Sequence, residues 1–359
     1  MKILCFTDYL GAGGAQRQLV GLASMLHQKG YKVKVCYYQD ITFFNEYLEE
    51  RGVEHELIPS ASNHIKRIPA VARYFHQEKP DWVIAYQETP SLVATLAKGF
   101  GGHFRIIASE RNTTQVIGYK DKVRFFLYRW ADAIVPNSYA QGRFIKEHYP
   151  NLSDKISVIT NYVDLEYFSV TKHKRKEKPV IVVAASIWQQ KNTLNFINAV
   201  RLLKSYGIPF EIRWYGLLPK TTPYIEECKR KVEELCLNDV FQFFPKTKDI
   251  ASVYQEADYF CLPSLYEGTP NVICEAMSSG LPIVCSNVCD NGLYVREREN
   301  GFLFNPSDAK NMANTILQML SISNEEYERL CTNSRRLAEK LLSADSFMDK
   351  YLKLINSPS

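Results

Sequence analysis

Apolar runs typical of buried strands alternate with amphipathic stretches typical of helices along the whole chain. The run KILCFTDY at 2–9 predicts a strand, and AQRQLVGLASMLHQKG at 15–30 carries its apolar residues at helical spacing and closes on Gly30. The run YKVKVCYYQD at 31–40 again predicts a strand. The chain therefore begins with a β-α-β unit, which favours a parallel sheet covered by helices.

The alternation continues to the end of the chain. In the first half, the strand patterns are DWVIAYQ, FRIIASE and DAIVPNS, with a long aromatic and basic helix predicted at about 116–131. In the second half they are VIVVAAS, FEIRWYG, VFQFF, DYFCLPS, PIVCS and GFLFN, with helices predicted at 193–205, about 222–236, 248–256 and from 307 onwards. This order predicts two Rossmann-like, doubly wound α/β domains in tandem.

The segment KHKRKEKP at 172–179 interrupts the alternation with charge and a proline. We therefore expect an N-terminal domain at 1–171, a linker at 172–179 and a C-terminal domain at 180–342, with a last helix at about 343–359 that can pack back on the first domain. Doubly wound sheets bind ligands at the carboxyl ends of their strands. Two such edges predict domains that face each other across one cleft.

Composition and charge exclude several classes of protein. A net charge of +5 among 359 residues is too small and too dispersed to indicate a nucleic acid partner. The nine cysteines show neither disulfide-framework nor metal-site spacing, so we expect reduced thiols and no metal site. No stretch approaches the ~20 apolar residues of a membrane-spanning helix, and the N-terminal run enters a glycine-rich loop too early for a signal peptide. These features predict a cytoplasmic protein.

One short stretch, EGTPNVICE, places Glu267 and Glu275 on either side of a Gly-Thr-Pro-Asn turn. It lies between a strand pattern and a short helix, for which Thr269 is the expected N-cap, Pro270 the first helical residue and Gly280 the residue beyond the end. The first backbone N–H groups of such a helix have no partner within the helix and carry the positive end of its dipole. They suit an anion or a row of hydroxyls.

The spacing of the two acids fits a long ligand. Glu267 lies just before the helix, the amides from about Gly268 to Asn271 lie at its start, and Glu275 lies near enough to accept hydrogen bonds from a diol. A hexose, a diphosphate and a ribose have this layout, so the stretch indicates a nucleotide-sugar site. The alternative interpretation is a capping acid followed by an exposed helix glutamate.

The larger stretch SLYEGTPNVICEAMSSGLPIV resembles the E-x7-E signature of the retaining glycosyltransferases of family 4, which have the GT-B fold. The loop GAGGAQRQL, which contains Gly13 and Gly14, is similar to the Gly-Gly-Ala-Glu-Arg loop of that family. VITNYVDLEYF, QQKN around Lys191 and ENGFLF are further matches. Together they span nearly the whole chain and resemble enzymes of bacterial surface polysaccharide assembly.

The resemblance implies a role for each matched residue. Glu267 would face the donor hexose, the amides of Gly268, Thr269, Pro270 and Asn271 the sugar and phosphates, Glu275 the ribose, and Lys191 the diphosphate, with Gly13 and Gly14 also at the donor. A fixed cation such as Lys191 stabilises a leaving diphosphate. The sequence contains no Asp-x-Asp motif. We therefore expect neither a metal ion nor another cofactor.

The chain departs from the family pattern at three places, one of which is Tyr162 and the segment RWYGLLP, where glycines are common in the family. The other two bear on charge. The family has Gly-Arg shortly before the lysine, whereas this chain has Ala185 and Ser186, and Ser186 can donate one hydrogen bond but carries no charge. Many relatives have a histidine after the strand equivalent to RIIASE, whereas this chain has Glu110, Arg111 and Asn112 on the expected acceptor side. Arg111 could supply the missing positive charge as a third catalytic residue. The alternative is a surface arginine paired with an acid.

Basic and aromatic residues are interleaved in YKDKVRFFLYRWADAIV at 119–135 and in HIKRIPAVARYF at 64–75. Helices of this composition can lie on an anionic bilayer, which predicts peripheral association with the inner face of the cytoplasmic membrane. The alternative is that the aromatic residues face the core and the cations face solvent.

The resemblance implies retaining transfer of a hexose or N-acetylhexosamine from a nucleotide sugar, UDP-linked, to a glycan acceptor that is lipid-linked. Two alternatives remain open. Ser186 and the absent histidine also suit a nucleotide-sugar-binding protein with little turnover. Gly11 and Gly13 also fit part of the dinucleotide motif G-x-G-x-x-G, although Gln16 occupies its last glycine position and weakens the case for an oxidoreductase.

Overall fold

The computed structural model describes residues 1–112, 114, 116–171, 174–218 and 220–357. The chain forms two compact units, the first built from Met1–Asn161 with Asp345–Ser359 and the second from Tyr162–Ala344. The division follows Asn161 and thus comes earlier than the expected linker at 172–179. Residues 172 and 173 of that expected linker lie outside the described residues.

The first unit contains one parallel sheet. Its strands are β1 Lys2–Thr7, β2 Lys32–Tyr37, β3 Glu54–Leu57, β4 Trp82–Tyr86, β5 Arg105–Glu110 and β6 Ala133–Pro136. They lie in the order β3-β2-β1-β4-β5-β6, and all of these pairings are parallel. Its helices are α1 Gly14–Gln28, α2 Asn45–Glu49, α3 Arg67–Glu78, α4 Glu88–Lys98, α5 Tyr119–Leu127 and α6 Tyr139–His148.

The second unit repeats this architecture. Its strands are β7 Val180–Ala184, β8 Glu211–Leu217, β9 Phe241–Pro245, β10 Tyr259–Leu262, β11 Ile283–Ser286 and β12 Gly301–Phe304. They form a parallel sheet in the order β12-β11-β10-β7-β8-β9. Its helices are α7 Thr193–Ser205, α8 Pro223–Glu234, α9 Ile250–Glu256, α10 Asn271–Ser278, α11 Asn291–Tyr294, α12 Ala309–Leu320 and α13 Asn324–Leu342. The next helix along the chain, α14 Ala344–Asn356, belongs to the first unit from Asp345 onwards.

The central strands explain why the sequence carries unbroken apolar runs. Every residue of β4 and every residue of β7 is buried, because helices cover both faces of a parallel sheet. The direction in which strands are added reverses between β1 and β4 in the first sheet and between β7 and β10 in the second. The predicted α/β class with two doubly wound, Rossmann-like sheets is therefore confirmed.

Three local predictions differ from the structure. The strand β3, of sequence EHEL, was missed because it is polar and pairs only with β2 at the sheet edge. The single helix expected at 116–131 is wrong, since an α-helix at Tyr119–Leu127 is followed by a short 3-10 helix at Tyr128–Trp130. Helix α10 begins at Asn271, with Pro270 at the N-cap, instead of beginning at Pro270. Gly280 does lie just beyond that helix, with a φ of +81°.

The last helix, α14, packs on the first unit from Asp345 onwards. Its buried side chains are Phe347, Met348, Tyr351 and Ile355. The hydroxyls of Tyr351 and Tyr86 lie 3.0 Å apart, and the indole N–H of Trp82 donates to the carbonyl of Ile355 at 3.2 Å. The end of the chain thus completes the core beside β4. No helix within the described ranges is long and apolar enough to cross a bilayer.

Candidate functional site

Lys191 and Glu267 form an ion pair at the switch point of the second sheet. Lys191 ends a 3-10 turn, Gln189–Lys191, that follows β7, and Glu267 lies in the loop that follows β10. Because β7 and β10 are neighbours, their carboxyl ends bring the two side chains together. The Lys191 Nζ lies 2.5 Å from Glu267 Oε1, and these side chains are only 19% and 10% exposed. Low exposure strengthens the attraction between them.

Gln190 holds these two loops together. Its carbonyl accepts from the N–H of Leu265 at 2.8 Å, and its side-chain Nε2 donates to the carbonyl of Tyr266 at 2.9 Å. The segment that carries Lys191 is therefore tied to the residues just before Glu267. The only signal for this role of Gln190 was its position next to Lys191.

The turn before α10 is buried, but it offers fewer amides than the sequence suggested. Glu267 and Thr269 are nearly inaccessible, and Glu275 is partly exposed. The N–H of Asn271 donates to the carbonyl of Thr269 at 2.9 Å, and Pro270 has no N–H. The predicted row of amides from Gly268 to Asn271 is therefore shortened by these two residues.

The loop that contains Ser186 packs against β8. The Trp214 Nε1–H donates to the carbonyl of Ala185 at 2.7 Å, and the Ala185 N–H donates to the carbonyl of Tyr215 at 2.9 Å. A Cβ at Gly216 would lie 1.9 Å from the Ala185 oxygen, and the φ of Gly216 is +153°. Only glycine fits there. Ser186 itself is partly exposed.

Arg111, in the first unit, is held by neutral partners. Its guanidinium donates to Asn161 Oδ1 at 3.0 Å and to the hydroxyl of Tyr351 at 2.8 Å, and it lies 3.9 Å from the centre of the Tyr86 ring. It is 8% exposed. The alternative of a surface arginine paired with an acid is therefore wrong. Its Nε is buried without a hydrogen-bond partner among the described atoms, and a role toward a substrate stays a prediction.

Glu110 lies beneath the loop that carries Arg111 and is fully buried. It accepts a hydrogen bond from the Tyr128 hydroxyl at 2.5 Å and one from Gln141 Nε2 at 3.4 Å, and it pairs with Arg124 at 3.4 Å. Burial raises the pKa of Glu110 to about 7, although Arg124 acts in the opposite direction. Asn112 is exposed and donates to both carboxylate oxygens of Glu88, at 3.0 and 3.1 Å.

Another acid, Asp8, lies at the switch point of the first sheet and was not predicted from the sequence. Its Oδ1 accepts from the Tyr9 N–H at 3.0 Å and from Gln16 Nε2 at 3.3 Å. The Gln87 amide, with its nitrogen turned toward Asp8, donates at 2.9 Å. Burial raises the pKa of Asp8. The available signal was an acid directly before the loop in which Gly13 caps α1 and Gly14 begins it.

Gln87 carries backbone strain at this position. It follows β4 with a φ of +76°, although it is not glycine, and such conformations concentrate at functional sites. Within the described residues, no three His, Cys, Asp or Glu side chains are grouped so that they could hold a metal ion.

Comparison with known proteins identifies both halves of the chain. A family model described as "Glycosyltransferase Family 4" matches residues 12–167, and one described as "Glycosyl transferases group 1" matches residues 167–337. The chain is 30% identical over 230 residues to UDP-Gal:alpha-D-GlcNAc-diphosphoundecaprenol alpha-1,3-galactosyltransferase of Escherichia coli, a match that covers 59% of this chain. It spans 57% of that enzyme, little more than half of its length.

Two further proteins, one compared by sequence and one by structure, match over almost their full lengths. The chain is 22% identical to an undecaprenol-linked glycan alpha-1,4-N-acetyl-D-galactosaminyltransferase of Campylobacter jejuni, over 99% of this chain and 98% of that enzyme. The crystal structure of Anabaena HepE in complex with UDP-glucose superposes with a TM-score of 0.84, at 18% identity, over 100% of both chains. This structural match shows a shared fold.

Proposed function

The chain belongs to glycosyltransferase family 4 and has the GT-B fold, and on that premise we propose that it moves a hexose or N-acetylhexosamine from a UDP-linked donor to a lipid-linked glycan. The relatives named above act, by their names, on undecaprenol-linked acceptors or are bound to UDP-glucose. We propose the same classes of donor and acceptor here, in the assembly of a surface polysaccharide, with retention of the anomeric configuration.

The observation that carries this proposal is the Lys191–Glu267 pair at the β7–β10 switch point. A diphosphate that enters there offers Lys191 a doubly charged partner, so Lys191 is shared between Glu267 and the phosphates. The charge on the diphosphate grows as the glycosidic bond breaks, and a fixed ammonium group stabilises that charge. Glu267 then faces the hexose, and Glu275, further along α10, faces the ribose.

We propose that transfer needs no metal ion, because Lys191 supplies the positive charge that the leaving diphosphate requires. The sequence has no Asp-x-Asp motif that would anchor a metal–nucleotide complex. Transfer measured with excess EDTA should therefore stay within about twofold of the untreated rate. A loss of more than about tenfold that Mg²⁺ or Mn²⁺ restores would contradict this part of the proposal.

The first unit presents a surface suited to an anionic bilayer, from which a lipid-linked acceptor could be reached. We call the exposed residues Val116, Tyr119, Phe126 and Trp130, with Lys120, Lys122 and Arg129, the aromatic surface. Arg129 lies 3.9 Å from the Phe126 ring centre and 4.3 Å from that of Trp130. Aromatic side chains beside cations are favoured at the headgroup level. We propose peripheral binding at this surface.

The sequence pattern alone did not separate exposed residues from core residues in this segment. Phe125 and Tyr128 are buried in the first core, as the alternative interpretation expected, whereas Phe126 and Trp130 are about half exposed. Arg67, in the other basic segment, is also buried, and its guanidinium donates to the carbonyls of Ala61 and Ser62. The aromatic surface therefore comes from 116–130 and excludes Arg67.

A thermal-shift series tests the donor proposal. A ligand that binds only the folded chain raises its melting temperature according to its affinity, so UDP-linked sugars should raise it more than GDP-linked or ADP-linked sugars. Lys191→Gln and Glu275→Gln should each weaken donor affinity about tenfold or more, because each removes a charge-assisted contact. The melting-temperature shift at a given donor concentration should fall accordingly. Lys204→Gln is the matched control, because Lys204 pairs with the exposed Asp239 on the surface of the same unit.

A second measurement separates binding from chemistry. Glu267→Gln should lower the rate of transfer, or the rate of donor hydrolysis, by about a hundredfold or more. The donor-induced thermal shift should fall by less. This difference is expected of a group used mainly in the transition state. Normal rates in Lys191→Gln, Glu267→Gln and Glu275→Gln would defeat the assignment. Donor binding without turnover in the unaltered chain would favour the nucleotide-sugar-binding alternative.

A further inference from the structure

A groove of about 680 Å³ opens beside the Lys191 turn in the second unit. Its lining includes Trp188, Gln189, Gln190, Thr222, Tyr224 and Glu227, from the loop after β7 and the start of α8. Lys191 is the next residue along the chain after Gln190, and Gln190 is bonded to the segment that leads into Glu267. The groove therefore adjoins the candidate donor site within a single unit.

Trp188 gives this groove an aromatic wall. Trp188 is 51% exposed, although the neighbouring Ile187 is 1% exposed and lies in the core. The Trp188 backbone is extended, with φ −136° and ψ 158°, so successive side chains point in opposite directions. A large apolar ring that is left half exposed in a groove is typical of a ligand-binding surface.

The polar groups around Trp188 are those that recognise hydroxyls. Neither the Gln189 amide nor the Glu227 carboxylate makes a hydrogen bond or ion pair with any described residue, so both remain available to a ligand. The Thr222 hydroxyl accepts from the Ile225 N–H at 3.3 Å and can still donate its own proton.

The charge of the groove argues against a phosphate ligand. Among the described residues that line it, none is Lys, Arg or His, and Glu227 is acidic. A phosphate inside the groove would therefore meet a negative charge and no cation in the described lining. A neutral, hydroxyl-rich ligand with one apolar ring face satisfies the indole, the amide, the hydroxyl and the carboxylate together.

We infer that this groove is a saccharide subsite that takes one or two neutral sugar rings of the acceptor glycan, with one ring stacked on Trp188. The inference rests on the proposed function, since a glycan chain has reason to lie here only if the neighbouring Lys191 and Glu267 handle a sugar donor. It extends that function by assigning acceptor contacts to the second unit. Gln189 and Glu227 then select the hydroxyl pattern of the bound ring.

Tryptophan fluorescence tests the subsite directly. Trp82 and Trp214 are buried, and Trp130 and Trp188 are exposed, so Trp130→Phe leaves Trp188 as the exposed indole. Titration of this variant with lactose and with chitobiose should change its emission in a saturable way, with a dissociation constant on the order of millimolar for at least one of them. Because Trp188→Ala and Trp188→Phe both remove the reporting indole, their saccharide binding is measured by isothermal titration calorimetry, in which Trp188→Ala should abolish binding and Trp188→Phe should weaken it several-fold.

The control arms separate the possible results. Tyr206→Ala removes an exposed aromatic residue elsewhere in the second unit and should leave the saccharide response unchanged. Absence of a saturable response to every neutral saccharide would overturn the inference, and a Trp188 response to UDP alone would assign the groove to the nucleotide. Equal saccharide affinities with and without Trp188, measured by calorimetry, would also overturn it. Failure of every nucleotide sugar to shift the melting temperature would instead contradict the proposed function.

Discussion

The candidate donor site depends on single side chains that meet only when the second sheet has formed. Lys191 and Glu267 were identified from motifs 76 positions apart, and the sheet topology brings them into contact. Asp8 and Gln87 were not identified, because an acid after a strand is common and a left-handed backbone at a glutamine leaves no mark in the sequence. Motifs predict which chemical groups occur together along the chain, whereas contacts between residues far apart in sequence can be identified only from the folded structure.

Arg111 illustrates the same limit. Its position after β5 was predicted, but its partners Asn161 and Tyr351 lie 50 and 240 positions away. No pattern near Arg111 indicates either partner. The structure therefore makes Arg111 a contact point between β5 and the end of the chain, in addition to any role it has toward a substrate.

Glu110 supports a prediction about stability and pH. Its pKa is about 7 in the folded chain against an ordinary value of 4.5, so the unfolded chain releases the proton at a lower pH than the folded chain does. Stability contributed by the protonated form is complete below about pH 4.5 and is lost as the pH rises to 7. The charged groups that act on Glu110 are Arg124, which lowers its pKa, and Glu88, which raises it.

We expect the unaltered chain to lose on the order of 3 kcal/mol of unfolding free energy, relative to Glu110→Gln, between pH 4.5 and pH 8. Urea unfolding of both proteins across this range measures the difference. Glu147→Gln, at an exposed position of α6, is the control and should follow the unaltered chain. Parallel curves for Glu110→Gln and the unaltered chain would show that Glu110 does not titrate in this window.

At the element scale, long periodic stretches were predicted well and interrupted ones were not. The helix at 193–205 was placed correctly because its apolar stripe is continuous. The stretch 116–131 was expected to be one helix, but the chain tightens into a 3-10 turn at Tyr128, whose buried hydroxyl donates to Glu110. A buried polar contact with a distant strand overrides helical periodicity here. The edge strand β3 was not predicted from the sequence, because too few of its residues are buried to produce an apolar pattern.

Helix α14 supports a prediction at this scale. Tyr351→Phe removes the hydroxyl that accepts from Arg111 and contacts Tyr86, which leaves two buried polar groups without that partner. We expect a loss of about 1–3 kcal/mol in the free energy of unfolding, measured by urea denaturation. Tyr31→Phe, which removes a hydroxyl paired with Asn356 at the exposed end of the same helix, should cost less than about 0.5 kcal/mol. Equal effects of the two changes would contradict a central role for Tyr351.

At the scale of the whole molecule, the alternation of strand and helix patterns was enough to predict both sheets, because parallel α/β domains bury their strands completely. The division of the chain was harder to predict. The charged segment at 172–179 suggested a boundary, whereas the contacts divide the chain after Asn161 and assign the last helix to the first unit. Charge marks exposed segments, and only the packed structure shows which unit each segment joins.

The aromatic surface supports a prediction for the intact protein. In flotation experiments, the chain should rise with vesicles rich in anionic lipid at low salt, and less of it should rise at about 0.5 M salt, where charges are screened over a few ångströms. Phe126→Ser with Trp130→Ser should reduce the partition coefficient about tenfold, a change of about 1.4 kcal/mol. Phe100→Ser, at another exposed aromatic position of the first unit, should have little effect. Failure of the unaltered chain to float at low salt would contradict the membrane proposal.

The first unit is discontinuous in the chain, and this bears on its synthesis. Met1–Asn161 emerges from the ribosome before the second unit, and Asp345–Ser359 emerges after it. Until then, the guanidinium of Arg111 and the indole of Trp82 lack the Tyr351 and Ile355 groups that later bond to them. The side of the nascent first unit next to β4 therefore stays uncovered while the whole second unit is translated. Premature termination anywhere before residue 345 would leave that flank permanently uncovered, and such fragments would be natural substrates for chaperones and proteases.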